Sequence, residues 1–261
     1  MKNSVILETE KLSIGYSKTN VATVAENINL SLGEGKLISL IGANGVGKST
    51  LLRTLTGIQK PLSGKVLVEQ QDISSYKSQQ LAKKLSVVLT EKLPPSNLTV
   101  YEIIALGRQP YTNWIGKLST SDVAYIDKAL KITQTDLYSD KKHFEISDGQ
   151  LQKVMVARAL AQDTSLIVLD EPTTHLDLQH KVSLFKLLKK LAHEQRKCIL
   201  FSTHDIDMAI QLSDEMILMT SEHVTQDTVA NFIQRKAFEK IFSNDDIIFD
   251  EEKVKFIFKN L

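Results

Sequence analysis

The chain has 261 residues, enough for one or two domains and a sizeable core. It is 42% apolar and 24% charged with a net charge of +1. That balance is ordinary for a soluble globular protein and lacks the basic excess of a general nucleic-acid or acidic-membrane binder. The single cysteine, Cys198, excludes an internal disulfide and fits a reducing compartment.

The opening MKNSVILETEKL reaches Glu8, Glu10 and Lys11 too early for a signal peptide. No apolar stretch approaches the roughly 18 residues that span a bilayer, so membrane spans are expected from another chain. NINLSL alternates like a strand, with Ile28, Leu30 and Leu32 on one face. KLISLIG is a continuous apolar run, as in a strand covered on both faces. A glycine-rich turn follows, and then KSTLLRTLTG, a helix with Gly57 at its C-terminal stop. GKVLVE predicts a strand, SQQLAKKL a helix and SVVLT another strand. LTVYEII carries a capping box, Thr99 with Glu102, and a staple of Leu98 on Ile103. DVAYIDKAL predicts a helix that buries Val123, Ile126 and Leu130. SLIVLD is a buried strand. LQHKVSLFKLLKKLAHEQ is amphipathic, with Val182, Phe185, Leu188 and Leu191 on one face. KCILFS and DEMILM are further strands, and DIIFDEEKVKFIF reads as a hairpin. Lysine pairs such as Lys83–Lys84 and Lys189–Lys190 read as solvated helix faces. Strands alternating with helices imply an α/β layered fold with a helical insertion near 98–162.

GANGVGKS, Gly42 to Ser49, matches G-x-x-x-x-G-K-S between a strand and a helix. Such a loop wraps backbone N–H groups of Gly42, Ala43, Asn44, Gly45, Val46 and Gly47 around phosphate oxygens at a helix N-terminus. Lys48 can reach the β- and γ-phosphates of ATP, and the Ser49 hydroxyl can ligate Mg²⁺, with Thr50 beside it. LIVLDEP ends a buried strand in Asp170, which can hold Mg²⁺, and Glu171, which can polarise an attacking water. STHD ends the next apolar strand with His204; the two readings there are a structural histidine and a γ-phosphate contact. The other histidines read as surface or local structure.

In combination and order these motifs resemble the ATP-binding cassette (ABC) ATPase family over at least residues 5–220. Tyr16 in LSIGYS falls at the family's adenine-stacking aromatic, and ISDGQ, 146–150, at its L-S-G-G-Q signature. THLD, ending in Asp177, matches the loop that crosses the family's dimer interface, and His204 its switch histidine. The resemblance implies a single cassette over 1–261: a P-loop α/β core with an N-terminal antiparallel β subdomain, a helical subdomain at about 92–162, and a C-terminal extension at about 221–261. It also implies a nucleotide-sandwich homodimer. Ser147, Gly149 and Gln150 of one subunit would then complete the ATP site of the other. LTVYEIIALGRQPYTNW is similar to the helical segment of ATPases serving iron–siderophore, haem and cobalamin importers. There, integral-membrane permease subunits and a solute-binding protein are the partners, the site of work is the cytoplasmic membrane face, and nucleic acid plays no part. Tyr111 and Trp114 read either as subdomain packing or as permease contacts. Non-transport ABC ATPases of DNA repair or translation usually carry a long coiled coil or two cassettes, and neither is visible here. An ATP-binding regulatory module is opposed by Glu171 and His204.

Two residues depart from the family pattern. Asp148 replaces a signature glycine. Ser147 and Gln150 form an S-x-x-Q capping box, so Asp148 falls in a first helical turn, where a carboxylate gains about 0.3–1 kcal/mol from the helix dipole. An outward carboxylate is expected, since a phosphate-facing one would put like charges together. The second departure is Thr90, where the family has a glutamine that touches Mg²⁺ and water. Weakened coupling and a substitute ligand, Thr90 itself or Glu91 through water, both stay open. Thr90→Gln is expected to keep or raise ATP hydrolysis, read as steady-state phosphate release. Abolished turnover in a folded variant would mean that the family's glutamine position lies elsewhere in this loop.

Overall fold

The computed structural model describes residues 4–16, 22–89, 93–174, 176–240, 247–250 and 255–258. In chain order the strands are β1 (Val5–Tyr16), β2 (Ala22–Ile28), β3 (Ser31–Gly33), β4 (Leu37–Ile41), β5 (Ser63–Val68), β6 (Gln71–Asp72), β7 (Leu85–Val88), β8 (Leu166–Leu169), β9 (Cys198–Ser202), β10 (Glu215–Met219), β11 (Val224–Thr228), β12 (Ile247–Asp250) and β13 (Lys255–Phe258). The helices are α1 (Lys48–Leu55), α2 (Ser78–Leu81), α3 (Val100–Ala105), α4 (Thr120–Thr133), α5 (Asp148–Ala161), α6 (Leu178–His193), α7 (Ile206–Leu212) and α8 (Val229–Gln234).

Two sheets organise the chain. β1, β2, β3, β5 and β6 form an antiparallel sheet. The second sheet runs β11-β10-β4-β9-β8-β7, parallel throughout except where β11 returns antiparallel along β10. The continuous apolar runs mark the centre of this sheet: every residue of β4, β8 and β9 is buried. Such strands carry helices or a second sheet on both faces, which is why their side chains do not alternate. One core cluster joins the antiparallel sheet to α1 and the parallel sheet through Leu12, Ile14, Leu51, Leu55 and Leu200. A second joins α3, α4 and α5 to the other face and to α6 through Ile104, Ile126, Val156 and Phe185. A third gathers Phe232, Phe238 and Phe249 against Ala209 and Ile210 of α7, with Phe256 packed alongside. The backbone N–H of Phe256 donates to Asp207 Oδ1 at 3.1 Å, tying the C-terminal hairpin to the start of α7.

Three expectations change. SQQLAKKL makes one helical turn, α2, rather than a full helix. NINLSL is split between β2 and β3, although Ile28, Leu30 and Leu32 are all buried as expected. On α4, Ile126 and Leu130 are buried but Val123 is 37% exposed, and its neighbour Asp122 is buried instead. Chemistry explains that exchange. Arg108, also buried, donates from Nε to Asp122 Oδ1 at 2.8 Å and from a terminal nitrogen to Ala161 O at 2.8 Å. Its guanidinium stacks on Tyr111, 3.9 Å from the ring centroid, and on Tyr125 at 4.3 Å. Lys84 and Lys83 are likewise engaged, the first with Glu69 at 2.6 Å and the second over the Tyr111 ring. Among the described residues no helix is long and apolar enough to cross a membrane.

Burial alone would raise the Asp122 pKa. Hydrogen bonds from the Ser119 hydroxyl and N–H, together with Arg108, hold it below the usual carboxylate range. A depressed carboxyl contributes stability that is fully present above its unfolded pKa of about 4 and is lost as pH falls through the folded value. Asp122→Asn is therefore expected to cost about 3–5 kcal/mol at neutral pH, since it strands a buried guanidinium. Urea unfolding should show the gap between variant and parent closing in strong acid.

Candidate active site

The candidate site lies at the C-terminal ends of three adjacent strands, β4, β9 and β8. β4 feeds the glycine-rich loop. Gly47 ends the loop with φ +113°, a left-handed conformation, and a Cβ there would come within 2.2 Å of Val24 Cγ1, so only glycine fits. α1 then starts at Lys48. The lysine is 5% exposed and its Nζ donates to Gly42 O at 2.9 Å and Ala43 O at 3.1 Å. Burial pushes its pKa down, while the carboxylates of Glu171 and Asp170 pull it back up. Ala43, Asn44 and Gly45 are exposed at the turn, Val46 is half-buried, and Ser49 is exposed on the first turn of α1. Buried Thr50 shares a 2.9 Å hydrogen bond with the Tyr16 hydroxyl at the end of β1, and the Tyr16 ring is left 55% exposed.

β8 delivers Asp170 and Glu171. Ser202, the last residue of β9, joins them: its hydroxyl donates to Asp170 Oδ1 at 2.6 Å and accepts from the Glu171 N–H at 2.8 Å. Glu171 adopts φ +49°, an uncommon conformation for a residue with a side chain, in a turn closed by Thr174 N–H to Glu171 O at 3.2 Å. Its carboxylate meets His204 Nε2 at 2.5 Å and accepts from the Thr174 hydroxyl at 3.2 Å. Asp205, after His204, accepts from the Thr173 hydroxyl and pairs with Lys181, each at 2.9 Å. So the structure brings Lys48, Asp170, Glu171 and His204 together. The donor set of the Ser49 hydroxyl and the Asp170 carboxylate is hard oxygen, which fits Mg²⁺ shared with phosphates and water.

Ser147, Gly149, Gln150 and Asp177 form a second constellation, at the N-termini of α5 and α6. Ser147 caps α5 by accepting from the Gln150 N–H, and Gln150 Oε1 accepts from the Ser147 N–H at 3.0 Å, the expected capping box. Asp148 is exposed in the first turn. Asp177 caps α6. Thr90 and Glu91 lie outside the described residues. Of the two aromatics read ambiguously, Tyr111 is packed under Arg108, and Trp114 is 94% exposed.

Sequence reasoning missed Ser202 and read His180, with the other histidines, as surface or local structure. The signal for Ser202 was a hydroxyl closing an apolar strand two residues before a histidine. Burial pushes the Cys198 thiol up, away from reactivity, as the bland reading held.

The family model described as ABC transporter matches residues 25–174. An uncharacterized ABC transporter ATP-binding protein of Methanocaldococcus jannaschii is 42% identical over 84% of this chain and 74% of its own length. The achromobactin transport ATP-binding protein of Dickeya dadantii is 34% identical over 92% of this chain and 88% of its own. The iron(3+)-hydroxamate import ATP-binding protein of Bacillus subtilis is 37% identical over 86% and 82%. Among solved structures, a transporter described as of the metal-chelate type, in an inward-facing conformation, superposes with a TM-score of 0.80 at 26% identity, over 97% of this chain and 96% of that one. A dimeric bacterial ABC transporter cassette superposes with a TM-score of 0.73 at 27% identity, over 86% and 99%.

Ser202→Ala removes a donor to Asp170 and leaves the Glu171 N–H without its acceptor. It is expected to cost about 1–3 kcal/mol in chemical denaturation and to slow phosphate release. Unchanged values of both would show that the hydroxyl does not hold the two acids.

Proposed function

The chain belongs to the ABC transporter ATP-binding family, and from that membership we propose that it powers import of an iron–siderophore, haem or cobalamin-type solute through separate permease subunits. It is an ATPase. It would act as a homodimer at the cytoplasmic membrane face, with a solute-binding protein in the assembled importer and without nucleic acid. The observation that carries the reading is the convergence of Lys48, Asp170, Glu171 and His204 on neighbouring strand ends.

The proposed roles follow from that geometry. Amides of Gly42 to Gly47 and the Lys48 ammonium cradle the β- and γ-phosphates, Tyr16 stacks on the base, and Thr50 steadies its hydroxyl. Ser49 and Asp170 would hold Mg²⁺, which when bound neutralises charge on the phosphate oxygens. Glu171 takes the proton of a water attacking the γ-phosphorus, and ADP departs. His204, against Glu171 Oε1, orients that carboxylate and senses the γ-phosphate. Ser147 Oγ accepts from the Gln150 N–H, and its O–H stays free to donate to the partner's negatively charged nucleotide. Gly149, Gln150 and Asp177 complete that half-site. Asp148 lies exposed in the first turn, where the helix dipole favours a carboxylate, and its carboxylate is taken to face away from the nucleotide, where like charges would meet. Trp114, nearly fully exposed, is the candidate permease contact.

Glu171→Gln keeps the size of the side chain and removes its basicity. It is expected to retain ATP binding while hydrolysis falls by about 10²–10⁴. Unchanged turnover in a phosphate-release assay would take the base role away from Glu171.

A further inference from the structure

His180 lies in the first turn of α6, and it does more than the helix start requires. Asp177 caps α6 by accepting from the His180 backbone N–H at 2.8 Å, which alone satisfies a capping position. The His180 ring adds a second contact, Nδ1 to the same Asp177 oxygen at 2.8 Å. With Nδ1 held by a carboxylate, the ring cannot swing freely, and its far edge lies over the first turn of α5. A Cβ built on Gly149 would sit 2.2 Å from His180 Cδ2, 2.7 Å from Cγ and 3.0 Å from Nε2. Gly149 is buried and helical, so its backbone does not demand glycine. What forbids a side chain there is the imidazole. Asp177 and Gly149 sit on different elements, one in the loop after Glu171 and the other in the signature helix. The ring of His180 is the spacer between them.

We infer that His180 is a positioning residue for the ATP-bound dimer: its ring sets the separation between the Asp177 loop and the N-terminus of α5, and so presents Ser147 and Gly149 to the partner's nucleotide. This rests on the sandwich reading proposed above. It assigns the glycine at 149 to a contact within one chain, and it makes the α6 N-terminus part of the signature's support. The ring bulk and the Nδ1 hydrogen bond are separable. Asn reaches where Nδ1 reaches but leaves Gly149 uncovered, whereas Phe covers Gly149 without bonding Asp177.

The test uses the full chain carrying Glu171→Gln, with dimer formation followed by light scattering as ATP is raised. His180→Ala and His180→Asn are expected to raise the ATP concentration for half-dimerisation about tenfold, the scale of one hydrogen-bond-sized interaction. His180→Phe should stay within about threefold of the parent. Nucleotide binding to the monomer and the unfolding midpoint should not move. Equal dimerisation in His180→Ala, an Asn variant that matches the parent while Phe does not, or a loss that tracks a lowered unfolding midpoint would each overturn the spacer role. A thermal cycle reads the contact without ATP. Gly149→Ala should lower the melting temperature when the ring is present and much less in His180→Ala; equal cost in both overturns the contact. A Glu171→Gln parent that fails to dimerise with ATP would instead remove the sandwich reading, and the positioning role with it.

Discussion

A lysine ammonium buried among backbone carbonyls is the constraint on which this structure turns. Lys48 is almost out of water, and an isolated ammonium in that setting would be too costly to keep charged. Two carbonyl oxygens of its own loop accept hydrogen bonds from it, and the carboxylates at the end of β8, two strands away, supply opposing charge. That arrangement needs β4 and β8 close together with their C-terminal ends level. β9 lies between them and provides Ser202 as the strut that fixes both acids. The parallel sheet, built on apolar strands covered on both faces, holds these polar strand ends at the spacing that the cation requires.

Much of this was legible in the chain. The apolar runs ending in Gly42, Asp170 and Ser202 named the central strands, because fully covered strands lose the alternation that half-buried ones keep. The caps at Thr99 and Ser147 were legible for the same reason: a helix start is a local hydrogen-bonding problem with few side-chain solutions. What periodicity missed were contacts between distant segments. Nothing around Asp122 in sequence announces Arg108, whose burial reverses the expected facing of Val123. Nor does HKVS announce that His180 covers Gly149, thirty-one positions earlier. Those depend on how helices settle on one another, which residue type and spacing leave open.

The helical insertion and the C-terminal hairpin solve similar problems with different chemistry. The insertion anchors the segment Leu106–Tyr111 through one buried ion pair, whose guanidinium also lies over two tyrosine rings. The hairpin sets Phe249 and Phe256 against Phe232, Phe238 and α7, which begins two residues after His204. A directional anchor fixes the orientation of the segment that leads to the exposed Trp114. Aromatic packing suits one that only has to back a helix.

The left-handed backbone of Glu171 carries a further consequence. Holding a non-glycine residue there costs the fold roughly 1–2 kcal/mol, a strain that Gly would avoid and Asn would lessen. Selection for thermal robustness alone would therefore replace it. The position is a local conflict between durability and turnover: relieving its backbone would remove the carboxylate that meets His204.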